Sequence, residues 1–228
     1  MTPRLLFLVD TEREIAGVRV NAMEPIWIDW AKRLQAIAQT GLTYTKNPYD
    51  VERYEQVRHI AAEIAADRSN VPLPRVLDLF SSETGYATPK VDVRAVIFHH
   101  GSLLLVRERS DGRWTLPGGW ADVGEAPSEC VVREAREETG YDVQVQKLLA
   151  VFDRSKHPHE PPFPFHIYKL FFLCGIVGGR ATRNNEIDEI GFFTRDVIPP
   201  LSLTRITPQQ IDRMFEHRLH ADWPTDFD

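Results

Sequence analysis

Residues 119–141 read GWADVGEAPSECVVREAREETGY, and this stretch governs how the rest of the chain is read. Just upstream, the strand-like Trp114-Thr115-Leu116 runs into Pro117-Gly118-Gly119, a loop signal. Pro127 suits the first turn of a helix, where its missing N–H costs nothing, and Gly140 suits the left-handed residue just past a helix end. The segment therefore reads as strand, loop and helix. At 100° per residue, Glu134, Glu137 and Glu138 fall within about 100° of one another on one helical face. Val131, Val132 and Ala135 lie beside that face and can anchor the helix on a core. Arg133 stands one turn before Glu137, so an ion pair between them is geometrically available.

Three clustered carboxylates repel one another unless something cationic sits among them. Hard divalent cations bind oxygen ligands, and Mg2+ commonly joins a few protein carboxylates to substrate phosphates. An isolated REAREE is more simply read as an exposed helix laced with Glu–Arg pairs. Gly119 and Glu125 upstream, with Arg133, Glu134, Glu137, Glu138 and Gly140, make a seven-position pattern. Average residue usage gives such a pattern a chance probability on the order of 10^-9 per starting point.

That pattern resembles the signature of the Nudix (MutT-like) hydrolases, G-x5-E-x7-R-E-U-x-E-E-x-G-U with U a bulky aliphatic residue. Ala135 and Tyr141 depart from it at the two U positions, and neither departure removes a carboxylate. The resemblance implies that Glu134, Glu137 and Glu138 bind Mg2+ or Mn2+, helped by the backbone carbonyl of Gly118. It implies that Arg133 orients the carboxylates and that Glu125 is a supporting or outer ligand. Bound metals would stabilise charge on a diphosphate and help generate hydroxide from water. One glutamate, or an acidic residue from a later loop, would take the proton from that water. The loop candidates are Glu186, Asp188 and Glu189, which read equally well as a solvated turn ahead of a strand.

Composition bounds the rest. With 228 residues, 43% hydrophobic and 26% charged, the chain suits a soluble protein of one large domain or a medium one with a smaller partner. A net charge of −6 argues against a general duplex-binding surface, since phosphate contacts supply most non-specific affinity. Small phosphate ligands stay open, because a metal can supply positive charge locally. Cys130 and Cys174 form no disulfide framework, and a reduced, cytoplasmic compartment suits both. The apolar run Leu5–Val9 is too short for a signal h-region or a membrane span.

The first seventy residues read as helices. Trp27–Thr40 places Trp30, Leu34, Ile37 and Ala38 at helical spacing and ends at Gly41. Asn47-Pro48 opens a second pattern through Arg68, with Val51, Tyr54, Val57, Ile60, Ala61 and Ile64 on one side. These two faces are more than a hairpin can bury by itself. Residues 71–89 are rich in Pro, Ser and Thr and read as a linker, with one short helical turn at Leu77–Phe80.

From Lys90 onward strands dominate: Val91–Phe98 and Leu103–Arg107 about a His99–Ser102 turn, then Asp142–Asp153, Phe165–Ile176 and Ile190–Thr194. Pro208–His217 reads as a closing helix. Mixed strands around one central helix fit an α+β layered fold. The resemblance makes that a Nudix α/β/α sandwich with a mixed sheet over residues 90–218, preceded by a small all-α domain over 1–70. Residues 27–64 and 159–174 also resemble a bacterial ADP-ribose pyrophosphatase-like subgroup that includes CDP-choline pyrophosphatases. This implies a homodimer built with the helical extension.

Outside the motif, His157, His159 and His166 follow Asp153, but His-Pro-His in a proline-rich loop lacks the one-face spacing of a helix-borne metal site. The loop suits substrate contact better, with Phe163 a candidate to stack on a base and Phe165 and Tyr168 of opposite strand parity. Arg107, Arg109 and Arg113 lie between a strand and the catalytic loop, where Arg107 and Arg109 are candidates to bind phosphate; Glu189 is a further substrate-binding candidate. The expected activity is metal-dependent hydrolysis of a nucleoside diphosphate linked to another moiety, of CDP-choline or ADP-ribose type. The products would be a nucleoside monophosphate and a second phosphorylated compound. Two other readings are a non-catalytic nucleotide sensor, which would have no need to retain every glutamate, and an RNA-end hydrolase, which would need an electropositive groove.

Overall fold

The computed structural model describes residues 24–228, so the run Leu5–Val9 and the start of the helical extension lie outside the described residues. The chain divides into two compact units. One holds the described residues up to Pro89 together with Glu160–His166, and the other holds Lys90–His159 with Ile167–Asp228.

The first unit contains α1 (Ile26–Tyr44), α2 (Pro48–Asp67) and α3 (Leu73–Ser81). Asn47 starts α2 by accepting the Tyr49 N–H at 2.9 Å, and Pro48 occupies the first turn. Two expectations need correction. First, α1 does not end at Gly41 but runs to Tyr44. A Cβ on Gly41 would stand 2.4 Å from the Tyr54 ring, so this glycine permits close approach of α1 and α2 rather than a helix stop. Second, residues 71–89 do not form a linker throughout. Pro72 and Pro74 sit at the start of α3, where proline is tolerated, and Val76 and Phe80 of that helix are fully buried. The buried seam is made of small residues, Ala31, Ala61, Ala62 and Ala65, closed by Val71, Val76 and Phe80. Trp30, Ile37, Val51 and Ile60 are instead exposed. Gln35 ties α1 to α3 by donating to the Phe80 carbonyl at 2.9 Å. Gly41→Ala is expected to lower the stability of this unit by about 1–3 kcal/mol through overpacking, less a helix-propensity gain of up to about 1 kcal/mol. Urea unfolding followed by circular dichroism checks this, and an unchanged midpoint would show that the Tyr54 ring simply moves aside.

The second unit is a seven-stranded mixed sheet with a helix on each face. Its elements are β1 (Lys90–His99), β2 (Ser102–Glu108), β3 (Trp114–Thr115), α4 (Pro127–Thr139), β4 (Tyr141–Asp153), β5 (Ile167–Gly179), β6 (Ile187–Phe193), α5 (Pro208–Leu219) and β7 (Asp226–Phe227). The strand order is β3-β2-β1-β5-β4-β7, with β6 added on β2. β1 runs parallel to β5, and β4 is antiparallel to it. Alternation along the strands sorts side chains between the faces. Val93, Ala95, Ile97, Phe172 and Cys174 pack with Cys130, Val131 and Ala135 of α4. Val96, Leu103, Leu105 and Phe171 pack with Ile211, Met214 and Phe215 of α5. The layered sandwich expected from the sequence is therefore present. Thr207 and Gln210 start α5 with a reciprocal capping box, at 3.2 and 3.1 Å. Among the described residues no helix is long and apolar enough to cross a membrane.

Candidate active site

β1 and β2 are paired only beside their turn, at Phe98–Leu103 and His99–Ser102. Farther along β1 the vacated edge is taken by the loop that precedes α4. Val93 N–H donates to the Gly119 carbonyl and Ala95 N–H to the Pro117 carbonyl, both at 2.8 Å, and Ala121 N–H donates to Val91 O at 2.9 Å. The loop is thus seated on the sheet as if it were another strand. Gly118 has φ +138°, and a Cβ there would stand 2.0 Å from the Val93 carbonyl oxygen. Only glycine fits this backbone.

α4 then carries its acidic face beneath this loop. Ala126 N–H donates to the Glu129 carboxylate at 2.9 Å, holding the first turn, and Gly140 closes the helix at φ 75°. A Cβ on Gly140 would meet the Arg180 carbonyl oxygen at 2.5 Å, and one on Gly179 would meet the Gly140 carbonyl oxygen at 2.3 Å. Thr182 N–H donates to Thr139 O at 2.9 Å, and Asn184 Nδ2 donates to Glu137 O at 2.7 Å. The residues after β5 therefore satisfy the helix's last carbonyls.

The structure brings all five motif residues together. Glu138 is buried and accepts the Gly118 N–H at 2.8 Å. Burial pushes its carboxyl up to about 8, against the opposing pull of Arg94 and of that N–H. Burial also raises Glu134, with Arg133 opposing. Arg133 is the hub: Nε and Nη2 fork onto Glu125 at 2.8 and 2.9 Å, while Nη1 reaches Glu134 at 2.9 Å and Glu137 at 3.1 Å. This fork holds Glu125 below the usual carboxylate range and Arg133 above its own. Cys130 Sγ lies 3.5 Å from Arg133 Nη2.

Oxygen-only donors of this number suit a hard divalent cation. Among the described residues, however, no group of three acidic, His or Cys side chains converges on one point. Their oxygens are turned onto Arg133 and Gly118 instead.

The other candidates are arranged differently from expectation. Arg107 pairs with Asp188 and, at 2.7 Å, with Glu189, and Arg109 lies 3.9 Å from Asp188. Arg107 and Glu189 thus answer each other across β2 and β6. Phe163 lies in the segment that groups with the helices, edge-on to Phe165 at 6.0 Å, which in turn meets Phe80 at 6.5 Å. His159 Nδ1 donates to Leu203 O at 3.0 Å, and His157 lies 3.2 Å from Asp228, so these histidines do not assemble a metal site. Sequence reasoning missed a buried ionic cluster in the second unit. Asp92 and Arg94 share one face of β1 with Val96 and Phe98, and Lys169 stands directly across from Asp92 on β5. The available signal was two opposite charges two residues apart in an otherwise apolar strand. Burial pulls the Lys169 amine down to about 7 although Asp92 opposes it.

Residues 88–214 match the NUDIX domain family, and residues 25–80 match a family described as a UDP-X-like, N-terminal oligomerisation domain. A putative ADP-ribose pyrophosphatase of Bacillus subtilis is 45% identical over 202 residues, covering 89% of this chain and 97% of that protein. The crystal structure of a UDP-X diphosphatase is 35% identical, covers 89% of this chain and 98% of its own, and superposes with a TM-score of 0.58. That of an ADP-ribose pyrophosphatase from Streptococcus suis is 41% identical over 62% of this chain and 100% of its own, with a TM-score of 0.56.

Proposed function

The chain belongs to the Nudix family of hydrolases, and from that premise we propose that it cleaves the diphosphate of a nucleoside diphosphate linked to a second moiety, with Mg2+ or Mn2+ bound. The observation that carries this reading is that Glu125, Glu134 and Glu137 gather around Arg133 along one face of α4 while Glu138 accepts the Gly118 N–H. Glu134, Glu137 and Glu138, with the Gly118 carbonyl, are the groups that would hold the cation. Such a cation neutralises diphosphate charge and acidifies water. Arg133 keeps the carboxylates apart and oriented, and Glu125 fixes Arg133 from the other side. One of the helix glutamates, or Glu186, Asp188 or Glu189 later in the chain, would take the proton from the attacking water.

The substrates to test first are ADP-ribose, a UDP-linked compound and CDP-choline. Two of these classes are named in relatives that align over most of their own length, and the third comes from the resemblance in residues 27–64 and 159–174. The test is hydrolysis of these three with and without Mg2+, beside dinucleoside polyphosphates and triphosphate-ended RNA. Cleavage in 18O-labelled water then identifies the phosphorus attacked. No metal-dependent release of a nucleoside monophosphate from any of them would overturn the reading.

Residues 1–70 serve as the dimerisation part and 90–228 as the hydrolase domain. The support is the oligomerisation family matched by residues 25–80 and the exposed apolar side chains Trp30, Ile37, Tyr44 and Ile60 on α1 and α2. Apolar surface left exposed in this way commonly marks an interaction site when it is contiguous. Substituting Ile37 and Tyr44 together by Glu is expected to halve the mass measured by light scattering, and an unchanged mass would place the interface elsewhere. Both cysteines are free and buried, which suits a reducing cytoplasm.

A further inference from the structure

We propose that Arg94 is a positioning residue for the cation site, acting through the backbone of Leu116–Gly119. This rests on the metal-dependent reading above. Arg94 Nη1 donates to the Leu116 carbonyl at 3.1 Å, at the point where the chain leaves β3 for the loop. Its other two nitrogens fork onto Asp92 at 2.9 and 2.6 Å, and Asp92 is held from β5 by Lys169 Nζ at 2.6 Å. All three residues are buried. The next residues of the loop are pinned by backbone bonds to Val93 and Ala95 on either side of Arg94. Between those pins, Gly118 turns its N–H to Glu138. One guanidinium therefore fixes the height of the loop over the strand, and the loop fixes the orientation of Glu138 and of the Gly118 carbonyl.

Stability is a poor explanation for this cluster. Replacing a buried ion triad by apolar side chains of similar volume is often neutral or stabilising, whereas removing one partner is costly. What apolar side chains cannot reproduce is the directional bond to Leu116. Groups that orient metal ligands from behind typically change metal affinity or activity by 10- to 100-fold when lost.

The test uses the full-length chain and Mn2+ alone, with bound ion read from the loss of the free-ion electron paramagnetic resonance signal. The triple variant D92L/R94M/K169M is expected to keep its thermal midpoint close to that of the unsubstituted protein while its Mn2+ dissociation constant rises about 10- to 100-fold. K169M, which spares the Asp92–Arg94–Leu116 chain, is expected to stay within about twofold by the same reasoning. Should the triple variant not fold, R94K replaces it, because lysine keeps the charge and loses the fork; it is expected to weaken binding in the same direction. Where a substrate is turned over, kcat at saturating Mn2+ falls and KM stays within about threefold, the pattern of a lost transition-state contact. Mn2+ affinity unchanged in the triple variant or R94K, or weakened equally in K169M, overturns the role of Arg94. A wild-type chain that fails to bind Mn2+ overturns the metal-dependent reading itself, and this inference with it.

Discussion

Replacing Glu138 by Gln is expected to lower kcat about a thousandfold, within the 10²–10⁴ range for removing a group that acts in proton transfer or charge stabilisation, without loss of folded stability. Gln keeps an oxygen to accept the Gly118 N–H, now at 2.8 Å from Glu138, and fills the same volume. It removes only the charge, which is the part burial opposes. Because burial raises the Glu138 carboxyl from 4.5 to about 8, the folded protein binds this proton more tightly than the unfolded chain does. Between about pH 4.5 and 7 the native state therefore holds more protons, and this residue's contribution makes stability fall as pH rises. Above about 7 the depressed Lys169 amine works the other way. Melting temperatures of metal-free wild type and E138Q across pH 5–7 isolate the residue: the difference should widen in favour of the variant as pH rises. A constant difference would mean that Glu138 is not the titrating group, and an undiminished kcat would remove it from the reaction centre.

Gly118→Ala has the second large effect, an expected loss of about 3 kcal/mol or more, since it combines a strained backbone with a collision that has no flexible partner. The new methyl would stand 2.0 Å from a backbone oxygen of β1, so either the loop lifts off the strand or the strand bends. Both outcomes misplace Glu138. Gly119→Ala is the control: its methyl would meet Glu134 Oε2 at 2.9 Å, the end of a flexible side chain, and Gly119 does not adopt positive φ. That variant should unfold within about 1 kcal/mol of wild type, the usual range where a side chain can yield, while still disturbing Glu134. Equal denaturation midpoints for the two variants would show that the close approach at Gly118 is not a constraint.

Much of this was legible because periodicity and helix-end chemistry are local. Pro127, the acidic stripe and Gly140 define α4 by themselves, and alternation locates the strands that sandwich it. The helical unit was harder because ranking residues by hydrophobicity favours large side chains. Its seam is instead built from alanines, which let helices approach, while Trp30 and Ile37 face out. The prolines at 72 and 74 suit a linker as well as a helix start, and they start α3, a distinction set by whether Val76 and Phe80 find a core. At the site, helical spacing disclosed the Arg133–Glu137 pair, but the fork onto Glu125 depends on how the preceding loop folds back. The partner of Arg94 is hidden for a related reason: it is a carbonyl twenty-two positions away in sequence. The strand β7, with two residues, carries no periodic signal at all, and it is held by Asp226 bonding to Arg213 and, at 2.9 Å, to His217.

The glycines that bracket the acidic helix also constrain how such a chain can diverge. Gly118 is wedged on β1, and Gly140 is wedged where the backbone crosses beyond β5 at Gly179. The helix between them works as a ruler of fixed length: a residue added or lost within Pro127–Thr139 would rotate every later carboxylate by about 100° and leave one end off its seat. Length changes are therefore to be sought outside that helix, and a library of single-residue insertions scored for folding should show a silent gap from Pro127 to Gly140.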